Sequence, residues 1–296
     1  MPAFTPRQLV LLVLLTVVWG INWPIMKVGV AHFPPLSFRA ISMWLAVPLI
    51  ALALRSQGIP MAVPRSFWPK LMGLAIPNMV MWHCLVISAL PMLSSGRAAI
   101  LGFTMPIFAA ILGWLVYREP LNARAWGGVL AALLGVVLLL WHEVAAMGSQ
   151  PLGVFLMLAA AVNWAWGTQL LRRSSLPVPL LTVALWMVVV GAIALTLAAV
   201  VLERSQWGMP NAPALAAMAF NGVLVLACAQ IVWFYLARQL PPMASTLSVM
   251  FIPVLGVFTG AVWLGESLHW QDWTAMALMV VAIASVLWPS TRKVAV

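Results

Sequence analysis

Charged side chains are scarce in this chain, and acidic ones are almost missing. Asp and Glu occupy 5 of the 296 positions and charged residues make up 7% of the sequence. Soluble domains carry about a quarter of their residues as charged side chains, so the composition excludes a soluble globular domain. Cysteine is also rare. Cys84 and Cys228 both fall inside hydrophobic segments, and we expect buried thiols rather than a disulfide.

The hydrophobic segments also lack catalytic and metal-binding patterns. Their interiors contain no carboxylate, no Gly-rich phosphate loop and no His, Cys, Asp and Glu cluster with ligand spacing. We therefore expect a protein that is not an enzyme and that holds no cofactor and no metal ion. The missing carboxylate disfavours proton-driven export of lipophilic cations, and the missing deep Lys or Arg disfavours transport of sugar phosphates.

Hydrophobic runs dominate what is present. The chain is 65% hydrophobic, with a mean hydropathy of +1.08. About 20 apolar residues suffice for a helix to cross the bilayer core. Short breaks rich in Pro, Gly or charge separate ten such runs, near 8–29, 36–54, 69–90, 94–116, 124–141, 152–171, 178–201, 213–237, 243–264 and 271–288. The sequence predicts an all-α polytopic membrane protein with ten transmembrane helices.

The sequence repeats itself at a constant offset of 147 residues. Pairs at this offset include Trp19 and Trp166, Gly20 and Gly167, Pro106 and Pro253, Gly113 and Gly260, and Glu119 and Glu266. Such a register predicts two homologous halves, residues 1–145 and 146–296. Because each half carries an odd number of spans, the second half enters the membrane from the opposite face. The repeats are therefore predicted to be inverted, as in many transporters.

The distribution of Lys and Arg predicts the orientation. With a cytoplasmic N-terminus, eleven of the 15 basic residues lie on the cytoplasmic side, as the positive-inside rule requires. Both termini are then cytoplasmic. This bias explains the net charge of +10 without a nucleic-acid partner. Of the four remaining basic residues, Lys27, Arg39 and Arg97 fall near external helix ends, where we expect them to extend to the membrane surface.

Several motifs match a known family. In the first half they are Trp19-Gly20, Asn22-Trp23, Lys27, Pro35, Arg39, Ala98-Ala99, Pro106, Glu119, Trp126-Gly127 and Gly135, and in the second Trp166-Gly167, Arg172-Arg173, Ala244-Ser245, Pro253, Gly265-Glu266 and Trp273. Over nearly its whole length the chain resembles the drug/metabolite transporter superfamily with paired EamA-type repeats. Within it, the chain is similar to the bacterial amino-acid exporters typified by YddG. This resemblance implies a protein of the bacterial inner membrane that exports amino acids, including aromatic ones, from the cytoplasm.

Polar side chains within the spans mark a candidate site, because they are costly at bilayer depth without a partner or a wet cavity. Asn22 matches Gln169 and His83 matches Gln230 at the repeat offset, and tryptophans lie within one turn of each. We predict that the first, third, sixth and eighth helices line a central cavity. The predicted substrate-binding residues are Trp19, Asn22, Asn78, Trp82, His83, Asn163, Trp166, Gln169, Gln230 and Trp233.

Structural roles compete with these assignments. The amides could instead join helices by hydrogen bonds worth about 0.6–2 kcal/mol each. Pro24, Pro106 and Pro253 are predicted to kink their helices, with Pro24 as a possible hinge. Glu119 and Glu266 are expected to cap or orient loops rather than to contact substrate.

The residues together predict an exporter of amino acids and related small metabolites that works by alternating access. His83 is the candidate for proton coupling, since imidazole titrates near neutral pH, and facilitated diffusion is equally compatible. Alternatives are an exporter of other neutral metabolites or drugs and a membrane sensor that does not transport. The expected partners are a small-molecule substrate and the lipid bilayer, with a monomer as one allowed state.

Overall fold

A computed structural model describes residues 5–145, 151–237 and 242–287. Within these ranges the chain is helical and contains no strand. Its long helical segments are α1 (Pro6–His32), α2 (Pro35–Ser56), α3 (Arg65–Met92), α4 (Ser95–Tyr117), α5 (Ala123–Ala145), α6 (Pro151–Arg172), α7 (Leu180–Leu202), α8 (212–237), α9 (Pro242–Leu264) and α10 (Trp270–Leu287). Each begins and ends within four residues of a predicted span.

Length and composition suit these helices to a membrane. In the described part of the chain, 7 helices are long and apolar enough to cross one, namely α1 to α4 and α6 to α8. Shorter apolar stretches lie in α5 (Ala123–Leu139) and α9 (Phe251–Leu264). Large side chains such as Leu115, Phe155 and Val201 are mostly exposed on the outside of the bundle, where lipid would cover them. The protein is therefore a polytopic membrane protein. The predicted cytoplasmic termini lie outside the described residues.

Matching caps end α4 and α9. Arg118 and Gly265, which are 147 residues apart, both adopt left-handed backbone conformations with φ of 56° and 64°. The following residues donate backward along the helix, Glu119 N to Gly113 O at 3.1 Å and Glu266 N to Gly260 O at 3.4 Å. Such backward hydrogen bonds after a left-handed residue satisfy carbonyls that a helix end would leave free.

Two π-helical stretches interrupt the α-helical pattern of α3 and α8. They span Ile76–Met81 and Phe220–Ala229. The positions that match the first stretch at the repeat offset all lie inside the second stretch. His83 and Gln230 follow these stretches within two residues, at matched positions of the two helices. Such π turns weaken the regular hydrogen-bond ladder and often occur at functional sites.

The helix contacts follow the repeat. When each helix is replaced by the one at the same place in the other half of the chain, the same main pairs of helices are in contact. α1 packs along α9 and α4 along α6, while α1 also contacts α8 and α3 contacts α6. α2 packs on α7, and α5 packs on α10. Small residues allow the closest approaches: a Cβ added at Gly20 would lie 2.5 Å from Leu255 Cβ. Buried apolar side chains fill two clusters, and the smaller one joins α2, α3, α7 and α8.

The three predicted kink prolines occupy different settings. Pro24 lies inside α1 and Pro253 lies inside α9. Pro106 occupies the second position of Met105–Tyr117, the C-terminal part of α4, just after the turn at Phe103 and Thr104. All three positions stay available as bending points, since each removes one backbone donor from its helix.

Candidate functional site

Tryptophan pairs join the helices that were predicted to surround the site. Trp19 of α1 and Trp233 of α8 have ring centroids 5.6 Å apart. Trp82 of α3 and Trp164 of α6 have ring centroids 5.0 Å apart. Indole rings offer large apolar surfaces and a polar edge. Each pair therefore joins a helix of the first half of the chain to a helix of the second.

Asn22 and His83 are buried polar groups with unused hydrogen-bonding atoms. Each residue is 8% exposed. Asn22 Oδ1 and His83 Nδ1 have no hydrogen-bond partner within the described residues. Leaving such an atom unpaired in a protein interior costs about 1–3 kcal/mol. These two atoms are accordingly the best candidates for contact with a ligand among the predicted site residues.

Asn78 and Asn163 are tied to their own helices. Asn78 Nδ2 donates to Leu74 O at 2.8 Å, and Asn163 Nδ2 donates to Ala159 O at 2.9 Å. Asn78 lies in the π-helical stretch of α3, where its side chain forms a hydrogen bond with a carbonyl of the preceding turn. Its amide also packs against Gly167 of α6, so it helps to set the spacing between α3 and α6.

Replacing Gly167 with alanine is expected to destabilise the protein by about 1–3 kcal/mol. An added Cβ would lie 2.5 Å from Asn78 Nδ2 and would displace a side chain that is 4% exposed. Unfolding in detergent measures the effect. Gly127→Ala is the matched control, because a Cβ at that position of α5 meets nothing within 4 Å. Equal stability of the two variants would show that the Asn78 contact does not constrain the packing.

Gln169 and Trp166 belong to a different cluster, at the end of the bundle where α4 and α6 end. Gln169 Nε2 donates to Ala109 O, and Gln169 Oε1 accepts from Arg173. Arg173 also pairs with Glu119. The Arg173 guanidinium lies 3.6 Å from the centre of the Tyr117 ring, which stacks on Trp166.

The structure therefore does not bring all predicted site residues together. Gln169 is three residues from the end of α6, whereas Asn22 is ten residues from the end of α1 at the opposite end of the bundle. Gln230 is half-buried on α8, one turn before Trp233. Trp19 and Asn22 lie on α1, which contacts α8 with Gln230 and Trp233, whereas Trp82 and His83 lie on α3, which contacts α6. Among the residues that the structure describes, no group of His, Cys, Asp and Glu could hold a metal ion.

The end of the bundle at which α1 ends carries Glu203, Glu266 and Asp272, and we call it the acidic end. Glu203 accepts hydrogen bonds from the first turn of α2: Leu36 N and Ser37 N at 2.8 Å, and Ser37 Oγ at 2.7 Å. A carboxylate at a helix N-terminus satisfies free amides and interacts favourably with the helix dipole. This contact joins the second half of the chain to the first.

Glu266 and Asp272 make equivalent connections to α4. Glu266 accepts from Ser95 N at 2.6 Å, Ser95 Oγ at 2.9 Å and Gly96 N at 3.3 Å. Asp272 forms an ion pair with Arg97 at 2.7 Å, and the aspartate is almost fully buried. All three acidic residues of the acidic end therefore bond across the two halves. The expectation of a structural role for Glu266 agrees with this arrangement.

The basic residues near this end differ from the sequence expectation. Lys27 donates to the carbonyls of Leu90, Pro91 and Leu93 at 2.7–3.0 Å and so closes the end of α3. Arg39 was expected to extend to the surface, and this prediction is wrong: the residue is 2% exposed. Its side chain points into the contact between α2 and the π-helical stretch of α8, where it donates to Asn221 Oδ1 at 3.2 Å.

Sequence reasoning also missed Asn221 as a partner of Arg39. Asn221 is fully buried within a predicted span, so the rule that selected Asn22 and Asn78 would have selected it as well. No pattern in the sequence indicated its contact with Arg39, because the two residues are 182 positions apart and do not match at the repeat offset.

Comparisons with known proteins identify the family and agree with the fold. The sequence profile described as the EamA-like transporter family matches the chain twice, over residues 7–141 and 151–288. The uncharacterized transporter YoaV of Bacillus subtilis is 24% identical over 255 residues, covering 86% of this chain and 87% of YoaV. The uncharacterized inner membrane transporter YedA of Escherichia coli is 25% identical over 277 residues, covering 92% and 88%.

A third relative and a solved structure extend these findings. A probable amino-acid metabolite efflux pump of Salmonella typhimurium is 25% identical over 286 residues, covering 92% of both chains. A protein of known crystal structure superposes with a TM-score of 0.67 at 20% identity, covering 94% of this chain and 95% of its own, and therefore has the same fold. The chain belongs to the EamA-like transporter family of the drug/metabolite transporter superfamily and is a multi-pass protein of the bacterial inner membrane, not an enzyme.

Proposed function

We propose that this transporter exports amino acids, including aromatic and other neutral ones, and related small metabolites from the cytoplasm. The observation that carries the proposal is the pair of buried, unpartnered atoms of Asn22 and His83, which lie on two helices, α1 and α3, that also carry tryptophans of the two ring pairs. Neutral polar groups beside indole rings suit a zwitterion with an apolar side chain. The name of the Salmonella relative, a probable amino-acid metabolite efflux pump, supports the same cargo.

Alternating access between two inverted repeats is the proposed mechanism. All ten helices would span the membrane, five from residues 1–145 and five from residues 146–296. The matched caps, the matched π-helical stretches and the exchangeable packing pattern support this symmetry. The halves would rock around the central site, bending at the π-helical stretches and at Pro24, Pro106 and Pro253.

The acidic end is proposed to face outward and the opposite, basic end to face the cytoplasm, as positive-inside topology requires. Buried carboxylates would then close the external side by joining the two halves at α2 and α4. The cytoplasmic side is held by the Glu119–Arg173 pair, whose side chains are 45% and 29% exposed. Because exposed ion pairs contribute little free energy, the cytoplasmic side is the easier one to open from this conformation.

His83 is the proposed group for coupling transport to protons. Among the predicted site residues it is the one with an ionisable side chain. Facilitated diffusion down an outward gradient needs no such group. Flux that keeps the same rate under an imposed pH gradient would assign the facilitated mode.

Export is tested in cells that are loaded with a phenylalanine dipeptide and that express the protein. We expect faster release of phenylalanine than from cells without it, and release about tenfold slower for Asn22→Ala, because one hydrogen bond to a charged group is lost. Gln206→Ala, which removes an exposed amide at the acidic end, is the control. Equal release with and without the protein, for phenylalanine and other amino acids, would contradict the proposal.

A further inference from the structure

Arg39 is a buried cation that the proposed function has not used. It is the fifth residue of α2, and its side chain contacts Met26 Sδ on α1 and Asn221 Oδ1 on α8. Its Nε atom has no hydrogen-bond partner among the described residues. Arginine presents five donors in a fixed planar arrangement that matches a carboxylate. The Nε donor of this guanidinium therefore remains available.

No carboxylate of the described part of the chain neutralises Arg39. The four acidic side chains that the structure describes are bonded elsewhere: Glu119 to Arg173, Glu203 to the first turn of α2, Glu266 to the first turn of α4, and Asp272 to Arg97. An uncompensated charge in a protein interior costs several kcal/mol. An anionic ligand that reaches Arg39 would supply the missing counter-charge.

The neighbours of Arg39 are the unpartnered groups of the proposed site. Met26 lies one turn beyond Asn22 on the same face of α1. α2, which carries Arg39, packs against Trp82–Ala89, the part of α3 that contains His83. Arg39 Nε is a donor, Asn22 Oδ1 is an acceptor, and His83 Nδ1 can be either. These atoms, from α1, α2 and α3, supply a donor and an acceptor, the two kinds of group that the carboxylate and the ammonium of an amino acid require.

We propose that Arg39 binds the carboxylate of the cargo, with Asn221 holding the guanidinium in place and Asn22 Oδ1 accepting a hydrogen bond from the cargo's ammonium group. The cargo class is therefore small molecules with a free carboxylate, and amines, esters and amides of the same shape are excluded. This inference rests on the proposed function, because it assigns a partner to one group of the same cargo.

A series of competitors on the wild-type protein in liposomes provides the test. Exchange of labelled phenylalanine is competed with unlabelled phenylalanine, 3-phenylpropionate, phenylalaninamide and phenethylamine. We expect the amide and the amine to compete about 10- to 100-fold less well than phenylalanine, since they lose a charge-assisted contact. Equal competition by phenylalanine and its amide would overturn the Arg39 assignment and leave transport intact.

Substitutions locate the effect. In Arg39→Gln the preference for phenylalanine over its amide is expected to fall to near one, and Arg39→Lys is expected to keep part of it. Arg204→Gln, which removes an exposed arginine at the acidic end, should leave the preference unchanged. A protein in which Arg39 only joins helices would lose stability on Arg39→Gln without any change in this preference. If Arg39→Gln does not fold, the wild-type series decides.

The two proposals fail in different ways. If no amino acid is exchanged, the transport proposal fails, and the carboxylate site is tested by thermal stability of the protein in detergent. A shift with 3-phenylpropionate but not with phenethylamine would then keep the site. No shift with either compound, in the absence of exchange, would overturn both proposals.

Discussion

Glu266→Gln is expected to open the acidic end and to expose the interior to an external reagent. The reporter is a cysteine at Asn22, which is buried in this conformation, in a protein with Cys84→Ser and Cys228→Ser. We expect a membrane-impermeant maleimide, added from outside, to label it about 10- to 30-fold faster in the Glu266→Gln background. The reason is the loss of charge on a carboxylate that accepts three hydrogen bonds from Ser95 and Gly96.

The repeat-related residue supplies the control. Glu119→Gln removes the charge at the matched position of the other half, where the contact is an exposed ion pair with Arg173. It should leave external labelling unchanged and raise labelling from the cytoplasmic side. Equal external labelling in the Glu266→Gln and unsubstituted backgrounds would show that the acidic end is not held closed by this contact.

Arg97→Leu is expected to lower the free energy of unfolding by about 3 kcal/mol. The substitution leaves the carboxylate of Asp272, which is 2% exposed, without its ion-pair partner at the start of α4. Asp272 keeps a hydrogen bond from His269 N at 2.9 Å and the His269 Nδ1 atom at 3.7 Å, which together do not replace a guanidinium in direct contact. Thermal or denaturant unfolding in detergent measures the loss.

The double variant isolates the contribution of the pair. Arg97→Leu combined with Asp272→Asn removes both charges, so most of the lost stability should return. Glu119→Gln, which breaks the exposed pair at the other end, should cost about 1 kcal/mol or less. If the effects of Arg97→Leu and Asp272→Asn simply add, the ion pair does not hold the two halves together.

Hydrophobic runs made the helix positions predictable. The breaks at Pro34-Pro35 and at Arg118-Glu119 ended predicted spans close to the observed ends of α1 and α4. A helix that crosses lipid must satisfy its own backbone groups, so its length and composition are tightly constrained. The family followed from motifs such as Trp19-Gly20, and the sequence profile confirmed it.

The contacts between the halves could not be predicted in the same way. Glu203 and Glu266 bond to backbone amides, which every residue carries, so no sequence pattern identifies their partners. The π-helical stretches were not predicted either, although Pro77, which removes one backbone donor, lies at the start of the first one. Arg39 was misplaced because its position near a helix end suggests surface contact, and only tertiary packing shows it to be buried.

The symmetry argument was only partly sufficient for the site. Asn22 and Gln169 match at the repeat offset, but the Gln169 amide is hydrogen-bonded to Ala109 and Arg173. Inverted repeats occupy different environments whenever one side of the membrane is closed and the other is not. A matched pair can therefore contain one group that is available to a ligand and one that is bonded within the protein.

Counterflow with the purified protein tests the central claim most directly. Liposomes filled with unlabelled phenylalanine are placed in a trace of labelled phenylalanine, with and without an imposed pH gradient. The account predicts transient accumulation of label, which other neutral amino acids suppress and which control liposomes lack. No accumulation with phenylalanine, tryptophan, methionine or threonine would contradict amino-acid transport by this protein.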